Sequence, residues 1–259
     1  MSDFEKNLVG RPNTVKTQAC LFRKWIEPYV LSVRKPDKQF CQRLIATWQG
    51  HDLKPGTIRV LANILKKYIE WDTGQVIQLK VSRAQQAEVK AWTYKETKKA
   101  TWICQLKDKK FYPLLICALH TGVRKGELFG FLWSDIDFVK GKIKVQRSFS
   151  GPTKNGKSRV IPMTDELAIL LEKRYLVGQQ DTLVFPRMDV NFRLKRLCKL
   201  AGVRQIPFHG LRHSFATLAL EAGRSPKLVS MILGHTNVST TLNLYWSCTK
   251  EELDLSFLP

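Results

Sequence analysis

The sequence predicts a mainly α-helical protein with a small antiparallel β-sheet, an α+β fold in two domains. Three observations predict it. Apolar residues recur at helical spacing through most of the 259 residues. One central stretch alternates apolar and polar residues in short runs split by glycine and proline. A weakly patterned stretch separates two helical regions. Hydrophobic residues make up 44% of the chain, which is enough for a sizeable core and excludes wholesale disorder.

The first domain, residues 1–80, is predicted to be a basic bundle of three helices. Apolar residues at three- and four-residue steps predict the first helix over residues 13–33. A proline that can open a helix and a glycine that can close one bound the second, Pro36–Gly50. The third is Thr57–Trp71, and residues 81–91 are the predicted linker.

The second domain, residues 92–259, is predicted to combine helices with the sheet. The stretches GKIKVQRSF and SRVIPM have strand-like alternation, and GPTKNGK between them has the composition of a hairpin turn. The predicted helices are one that starts at Thr93, Phe111–His120, Asp165–Leu176, Asn191–Ala201, one that starts near Gly210, one capped by Ser225 and stopped by Gly234, and Val238–Trp246.

The chain carries a formal net charge of +21, and the excess is spread along its length. Residues 1–90 hold 16 Lys and Arg against 8 Asp and Glu, and residues 91–259 hold 27 against 14. A short basic tail is therefore excluded as the source of the charge. Two basic segments predict a partner that contacts both, and nucleic acid is the common polyanion. A soluble protein that is merely basic remains the alternative.

Cysteine usage and hydropathy predict a cytoplasmic protein. None of the six cysteines forms a CxxC pair and most lie in apolar helical patterns, which is typical of reduced, buried thiols. Histidines and cysteines do not cluster at ligand spacing, so neither a metal nor another cofactor is predicted. Residues 1–10 carry two acidic residues and no apolar core, and no apolar run is long enough for a bilayer, so neither a signal peptide nor membrane association is predicted.

His209 and Arg212, in FHGLRHSFATLALEAG, indicate an anion site at the start of a helix. Leu211, Phe215 and Leu218 follow the i, i+4, i+7 spacing of a core-facing stripe. We therefore expect His209 and Arg212 to lie off that stripe, near the first helical turn. Unpaired backbone N–H groups at a helix N-terminus favour anions, so the pattern predicts phosphate binding.

Two further cations are candidates for the same site, and each has an ordinary explanation. Arg124, in HTGVRKGEL, follows a buried helix and a glycine, so it can bind an anion or simply pair with Glu127. Lys154 lies in the predicted turn TKNGK, where a lysine is usually solvated. Lys157 and Arg159 lie nearby and compete with Lys154 for any role.

His235 and Tyr245 complete the set of candidates. His235 follows a helix stop in ILGH, where it can bind an anion or contact the free helix carbonyls. Tyr245, ten residues later in TTLNLY, is a nucleophile candidate or a packed aromatic side chain. Each of the six residues is a weak signal alone, and their order along the chain is the stronger observation.

The motifs TGVRKGEL, TKNGKSRVIP, HGLRH and LGHTNVSTTLNLY occur in this order, each in a fitting helical or sheet context. Together they resemble the tyrosine recombinase family, the phage integrase-type site-specific recombinases. The resemblance covers residues 92–246. Residues 1–75 are similar to the family's core-DNA-binding helical domain only in length, charge and helix pattern. The resemblance implies that residues 92–259 form the catalytic domain and end in a C-terminal exchange tail.

The resemblance also implies strand cleavage and rejoining through a covalent 3′-phosphotyrosyl intermediate, without a metal ion or ATP. The implied roles are Tyr245 as nucleophile, Arg124 and Arg212 as phosphate clamps, Lys154 as general acid, His209 as proton acceptor or positioning partner, and His235 as a hydrogen-bonding partner of a phosphate oxygen. The residue types suit this chemistry. Guanidinium groups offer planar forks of donors to phosphate oxygens and stay charged at cellular pH. A tyrosine of ordinary pKa, about 10, must lose its proton as it attacks.

The partners that the resemblance implies are double-stranded DNA and three further copies of the chain, in a homotetramer on DNA. An accessory DNA-bending or directionality protein is a further candidate. The tail after Trp246 carries Leu253, Leu255, Phe257 and Leu258, which we expect to pack on a neighbouring protomer. Two other functions stay open: a type IB topoisomerase with the same chemistry, and a non-catalytic basic DNA-binding regulator.

Overall fold

The computed structural model describes residues 3–33, 36–51, 53–82, 90–153, 156–177, 183–239 and 241–242. The chain divides into two compact units, Met1–Ala87 and Glu88–Pro259, and this division falls inside the interval predicted as a linker. Within the described ranges both units are mainly helical, and strands occur only in the second unit, where they pair antiparallel. The predicted fold class, mainly α with a small antiparallel sheet, is confirmed.

The described part of the first unit contains five helices. They are α1 Asp3–Lys6, α2 Pro12–Trp25, α3 Glu27–Val30, α4 Lys38–Gly50 and α5 Pro55–Thr73. The single helix predicted over residues 13–33 is wrong, because the chain divides at Ile26 into α2 and α3. Pro28 explains the division, since proline has no N–H for the i→i−4 bond and its ring clashes with the preceding turn. The sequence pattern also missed α1.

The core of the first unit consists of the apolar faces of these helices. The apolar stripe predicted for the second helix, Cys41, Leu44, Ile45 and Trp48, is fully buried on α4. On α5 the predicted apolar positions are also buried, from Ile58 to Ile69. The missed helix α1 contributes Phe4, which is 3% exposed and lies 4.7 Å from the ring of Phe22.

Among the described residues, seven complete α-helices surround the core of the second unit. They are α6 Tyr94–Lys107, α7 Tyr112–Thr121, α8 Lys125–Leu128, α9 Asp165–Val177, α10 Val190–Ala201, α11 Phe208–Glu221 and α12 Pro226–Leu233. Helix α7 is apolar on nearly every face, as its sequence predicted, and packs against α6, α9 and α11. Most of the predicted helix Val238–Trp246 lies outside the described residues.

Two small antiparallel sheets complete the described part of the second unit. The first has the order β1 (Ile136–Asp137), β2 (Lys142–Val145), β5 (Arg159–Pro162), and the second pairs β3 (Arg147–Ser148) with β4 (Gly151–Pro152). The predicted turn GPTKNGK therefore starts too early, because its first two residues form β4. A two-residue reversal after β3 is short enough to pair these strands directly.

Four of the five described cysteines are buried, and the exception is Cys20. Burial raises the pKa of both Cys104 and Cys117 to about 12, so these thiols stay protonated at neutral pH. Cys248 lies outside the described residues. None of the described helices combines the length and the apolar character that crossing a membrane requires.

Candidate functional site

Arg212 joins the ends of two helices at the centre of the candidate site. It lies on α11 and is 3% exposed. Its Nη1 donates to the carbonyl of Gly122, directly after α7, at 2.8 Å, and its Nη2 donates to the carbonyl of Leu233, at the end of α12, also at 2.8 Å. Carbonyls at a helix C-terminus lack intrahelical partners and carry the negative end of the helix dipole. Arg212 thus satisfies two such carbonyls with one guanidinium.

The predicted orientation of Arg212, off the core-facing stripe of its helix, is wrong. Arg212 is buried, whereas Phe215 and Leu218 of the proposed stripe are only half-buried. The reason is that α11 packs against α7, α10 and α12, so one apolar stripe does not describe its buried surface. His209 is exposed at the first turn, and its ring lies 4.9 Å from the ring of His213, nearly perpendicular to it.

Arg124 precedes α8 and is fixed by the carboxylate of Glu127. Its backbone N–H donates to Oε2 of Glu127 at 2.9 Å, and its Nη1 donates to Oε1 at 3.0 Å. The side chain of Arg124 stays 25% exposed, while Glu127 is 2% exposed. The ordinary pairing considered for Arg124 is therefore present, and the guanidinium still reaches the surface.

Arg159 also binds this carboxylate. Its Nη1 and Nη2 donate to Oε1 and Oε2 of Glu127 at 3.2 and 2.8 Å. Burial alone would raise the pKa of Glu127, but hydrogen bonds and charge from Arg159, with those of Arg124, bring it below its ordinary value. The carboxylate is therefore ionised at neutral pH. The sequence alone indicated Arg159 only as a competitor of Lys154. Its place in the predicted strand SRVIPM was the one sequence signal that could have identified it.

The end of α12 positions His235. Gly234 adopts φ +67°, its N–H donates to the carbonyl of Met231, and the N–H of His235 donates to that of Ser230 at 3.1 Å, the pattern of a Schellman cap. The Nδ1 of His235 lies 2.8 Å from the hydroxyl oxygen of Thr241. The cap and this contact hold His235 two residues after Leu233, whose carbonyl accepts from Arg212.

The electrostatics of this cluster favour an anion. Burial, followed by the positive charge of Arg124, lowers the pKa of Arg212 to about 9, so it remains charged at neutral pH. Burial, followed by the charges of Arg212 and Arg124, lowers the pKa of His235 to about 4, so its imidazole is neutral. Arg124 and Arg159 bind the carboxylate of Glu127, and Arg212 lies near enough to interact with its charge. Three positive charges thus stand against this one negative charge, and an incoming anion would compensate the excess.

Four of the six predicted site residues lie in the described ranges. Arg212 brings Arg124 and His235 together, because it binds the carbonyls of Gly122 and Leu233, which lie two residues before each of them. His209 reaches this group through His213, whose pKa is lowered by burial and by the charge of Arg212. Lys154 and Tyr245 lie outside the described residues. In the same ranges, no group of three or more His, Cys, Asp or Glu side chains is placed to hold a metal ion.

The chain is similar in sequence to known proteins. Residues 95–252 match the model of the phage integrase family. Tyrosine recombinase XerA of Saccharolobus solfataricus is 34% identical over 209 residues, which cover 79% of this chain and 68% of that protein. Tyrosine recombinase XerA of Pyrococcus furiosus is 29% identical, with 93% and 85% covered.

Solved structures with the same fold cover nearly the whole chain. The Tn1549 transposon integrase in complex with circular intermediate DNA superposes with a TM-score of 0.78 at 21% identity, covering 96% of this chain and 93% of that one. A lambda integrase dimer bound to a COC′ core site gives a TM-score of 0.74 at 20% identity, covering 98% and 78%.

Proposed function

The chain belongs to the phage integrase family and is a tyrosine recombinase, and from this membership we propose that it recombines DNA at specific sites through a 3′-phosphotyrosyl intermediate in a DNA-bound tetramer. The observation that carries the proposal is the cluster around the ends of α7 and α12. There Arg124, Arg212 and His235 form a positively charged site beside a surface that Arg124 reaches. A scissile phosphate is an anion that suits this site.

In the proposed cleavage step, the phenol oxygen of Tyr245 attacks the phosphorus. A bond forms between that oxygen and phosphorus, and the bond from phosphorus to the 5′ oxygen breaks. The phenol proton passes to His209 or through it to solvent, and Lys154 protonates the departing 5′ oxygen. One phosphodiester replaces another, so the reverse attack by a 5′ hydroxyl rejoins the strand without an external energy source. The roles of Lys154 and Tyr245 rest on their motifs.

The arginines act on the charge that develops during this step. Negative charge grows on the non-bridging oxygens of the phosphate in the transition state. Arg212 is held in place by the carbonyls of Gly122 and Leu233 before substrate arrives, so little reorganisation is required. Fixed donors of this kind stabilise the transition state more than the ground state.

His235 suits the role of a neutral hydrogen-bond donor. Its low pKa leaves the imidazole uncharged at neutral pH. If Nδ1 accepts a hydrogen bond from the Thr241 hydroxyl, 2.8 Å away, then the proton of the neutral ring lies on Nε2. That N–H is then the donor to a phosphate oxygen.

Double-stranded DNA is the proposed partner of both units. The positive charge is spread over both halves of the chain, and the solved relatives include recombinases bound to DNA. Acting on DNA, the protein would work in the cytoplasm, at the nucleoid. The first unit is the proposed core-DNA-binding domain. An accessory DNA-bending or directionality protein is a further proposed partner.

A denaturing gel tests the covalent step. The protein is incubated with a nicked duplex that carries its recombination site, located by footprinting. A slower-migrating covalent band is expected from the unmodified protein and from Tyr175→Phe, a control tyrosine that packs against Trp133. Tyr245→Phe is expected to give no such band. A band from Tyr245→Phe would overturn the assignment of the nucleophile.

A second assay distinguishes a recombinase from a type IB topoisomerase. A supercoiled plasmid with two sites is expected to yield recombined products. Relaxation of the plasmid without recombined products would be consistent with covalent cleavage and rejoining but would contradict recombination.

Deletion of residues 250–259 tests the proposed exchange tail. We expect the shortened protein to bind a single duplex as before and to pair two duplexes poorly, because the apolar tail no longer reaches a neighbouring protomer. Unchanged recombination by the shortened protein would contradict the exchange of this tail.

A further inference from the structure

We propose that Arg159 is a positioning residue of this site, which acts by holding Glu127 and, through it, Arg124. The inference rests on the proposed function, because it concerns the arginine proposed to clamp the phosphate. Arg159 lies on β5, opposite Val145 of β2, so its backbone is fixed by the sheet. Its side chain is 12% exposed and points into the protein.

All three guanidinium nitrogens of Arg159 are in use. Nη1 and Nη2 form a forked pair with the carboxylate of Glu127, at 3.2 and 2.8 Å, and Nε donates to the carbonyl of Ile232 at 2.7 Å. A forked pair of this kind fixes the plane of the carboxylate as well as its position. Because its nitrogens are occupied, Arg159 is not a replacement for Lys154 as a proton donor.

Glu127 transmits this constraint to Arg124. Each carboxylate oxygen accepts one bond from Arg159 and one from Arg124, so rotating the carboxylate to follow one arginine would break its bonds to the other. Helix α8, which contains Glu127, has only four residues. A helix this short does not hold its own geometry. Arg159, which lies 32 residues further along the chain, therefore holds the carboxylate of Glu127 in place.

Arg159 also reaches the other side of the site. The carbonyl that binds its Nε belongs to the last turn of α12, directly before Leu233 and the cap at Gly234. A Cβ at Gly234 would lie 3.0 Å from both Cδ and Nη1 of Arg159, so the side chain packs tightly against this glycine. His235 follows at once. Arg159 thus connects the segment with Arg124 to the segment with His235.

Removing Arg159 would leave Glu127 buried with a single cationic partner. Arg124 would then be drawn toward the carboxylate and away from the phosphate. A displacement of about 1 Å in such a site costs on the order of 100-fold in rate. DNA binding by the rest of the protein would be little affected, since Arg159 is mostly buried.

The test is a single-turnover cleavage assay with the full chain in excess over the nicked duplex, read on a denaturing gel. The rate constant, the amplitude, the affinity for the duplex and the melting temperature are measured for Arg159→Gln, Arg159→Lys, Glu127→Gln and the double variant R159Q/E127Q. The matched control is Arg147→Gln, which removes an arginine bound at 2.7 Å to Asp135, another buried carboxylate.

Arg159→Gln is expected to lower the rate constant by about 100-fold, with duplex affinity within a few-fold of the unmodified protein. Arg159→Lys is expected to recover only part of the loss, since one ammonium group cannot form the forked pair. The double variant is expected to be no slower than the slower single variant, because both changes break the same connection. Arg147→Gln is expected to keep the unmodified rate constant.

An unchanged rate constant in Arg159→Gln would overturn the proposal. This holds even if the amplitude or the melting temperature of the variant is lower. Additive losses in the double variant would overturn action through Glu127. If Arg159→Gln does not fold, Arg159→Lys decides, and a full-rate lysine variant overturns the proposal. A covalent band from the unmodified protein separates these results from failure of the proposed function, which would show as no band from any protein.

Discussion

Gly122 lies where the end of α7 meets α11 and α12. Its backbone adopts φ +61°, and its carbonyl accepts the hydrogen bond from Arg212. A Cβ at this position would lie 2.6 Å from Cδ1 of Phe215 and 2.7 Å from Cδ2 of Leu233. The close approach that places the carbonyl against the guanidinium therefore requires a residue without a side chain.

Gly122→Ala is expected to destabilise the protein by about 3 kcal/mol, from backbone strain of about 1–2 kcal/mol and overpacking of about 1–3 kcal/mol. Gly141→Ala is the matched control, since Gly141 has φ +59° and no atom within 4 Å of the added Cβ. It is expected to cost only the strain, about 1 kcal/mol. Urea unfolding measures both. Equal losses of unfolding free energy in Gly122→Ala and Gly141→Ala would show that crowding around Gly122 contributes nothing.

His235 gives the protein an acid-sensitive stability. Its pKa is about 4 in the folded protein and about 6.5 in an unfolded chain. Between these values the unfolded chain binds more protons, so stability falls as the pH falls from about 6.5 toward 4. His213 acts in the same direction, because its pKa is also lowered.

His235→Gln is expected to remove part of this sensitivity. Between pH 7.5 and pH 5, the unmodified protein should lose about 1–2 kcal/mol more unfolding free energy than the variant. Glutamine keeps a polar partner for Thr241. Urea unfolding at the two pH values gives the comparison. An equal loss in both proteins would contradict a depressed pKa at this histidine.

At the scale of elements, α12 is capped at its start and contributes two carbonyls to the site at its end. Its eight residues are capped at the start by the hydroxyl of Ser225, which accepts from the N–H of Leu228 at 3.3 Å. At its other end, the carbonyls of Ile232 and Leu233 accept from Arg159 and Arg212. Helices of this length are marginal alone, so α12 depends on these contacts.

Ser225→Ala is expected to destabilise the protein by about 1 kcal/mol, because the N–H of Leu228 loses its capping acceptor. Ser225→Asp should retain most of the stability, since a carboxylate caps the same N–H and suits the positive helix end. Thermal and urea unfolding report both variants. The cap would be unimportant if the aspartate variant lost as much stability as the alanine variant.

At the scale of the whole molecule, the net charge of +21 favours electrostatic binding of the proposed partner, duplex DNA. Both compact units are rich in lysine and arginine, so each can displace counterions from a duplex. In the second unit, the carboxylates of Asp108, Glu127 and Asp135 are already paired with arginines at 2.6 to 3.0 Å.

Affinity for duplex DNA should therefore fall steeply with salt. A protein that contacts about 6–10 phosphates loses about 10³–10⁵ in affinity between 50 and 200 mM salt. Fluorescence anisotropy with Tyr245→Phe measures the affinity for duplex DNA at each salt concentration without strand cleavage. The unmodified protein on an uncleaved duplex should give the same slope of log affinity against log salt concentration. A slope near zero would contradict binding through the phosphate backbone.

The sequence by itself determined most of the helices and the family. Helical periodicity placed the buried face of α4, and local signals placed the Ser225 cap and the Gly234 stop. These features depend on residues within one or two turns, which a linear pattern contains. Four ordered motifs were enough to indicate a tyrosine recombinase, and the family is confirmed. The roles of Lys154 and Tyr245 stay predictions.

Only the tertiary structure decided which charged groups meet. The bond from Arg212 to Gly122 joins residues 90 positions apart, and the pair of Arg159 with Glu127 joins residues 32 apart. Periodicity predicted that Arg212 lies off the core, and it is buried, because the ends of α7 and α12 supply carbonyls that compensate its desolvation. Such compensation depends on how helices pack against each other, which no local pattern of residues specifies.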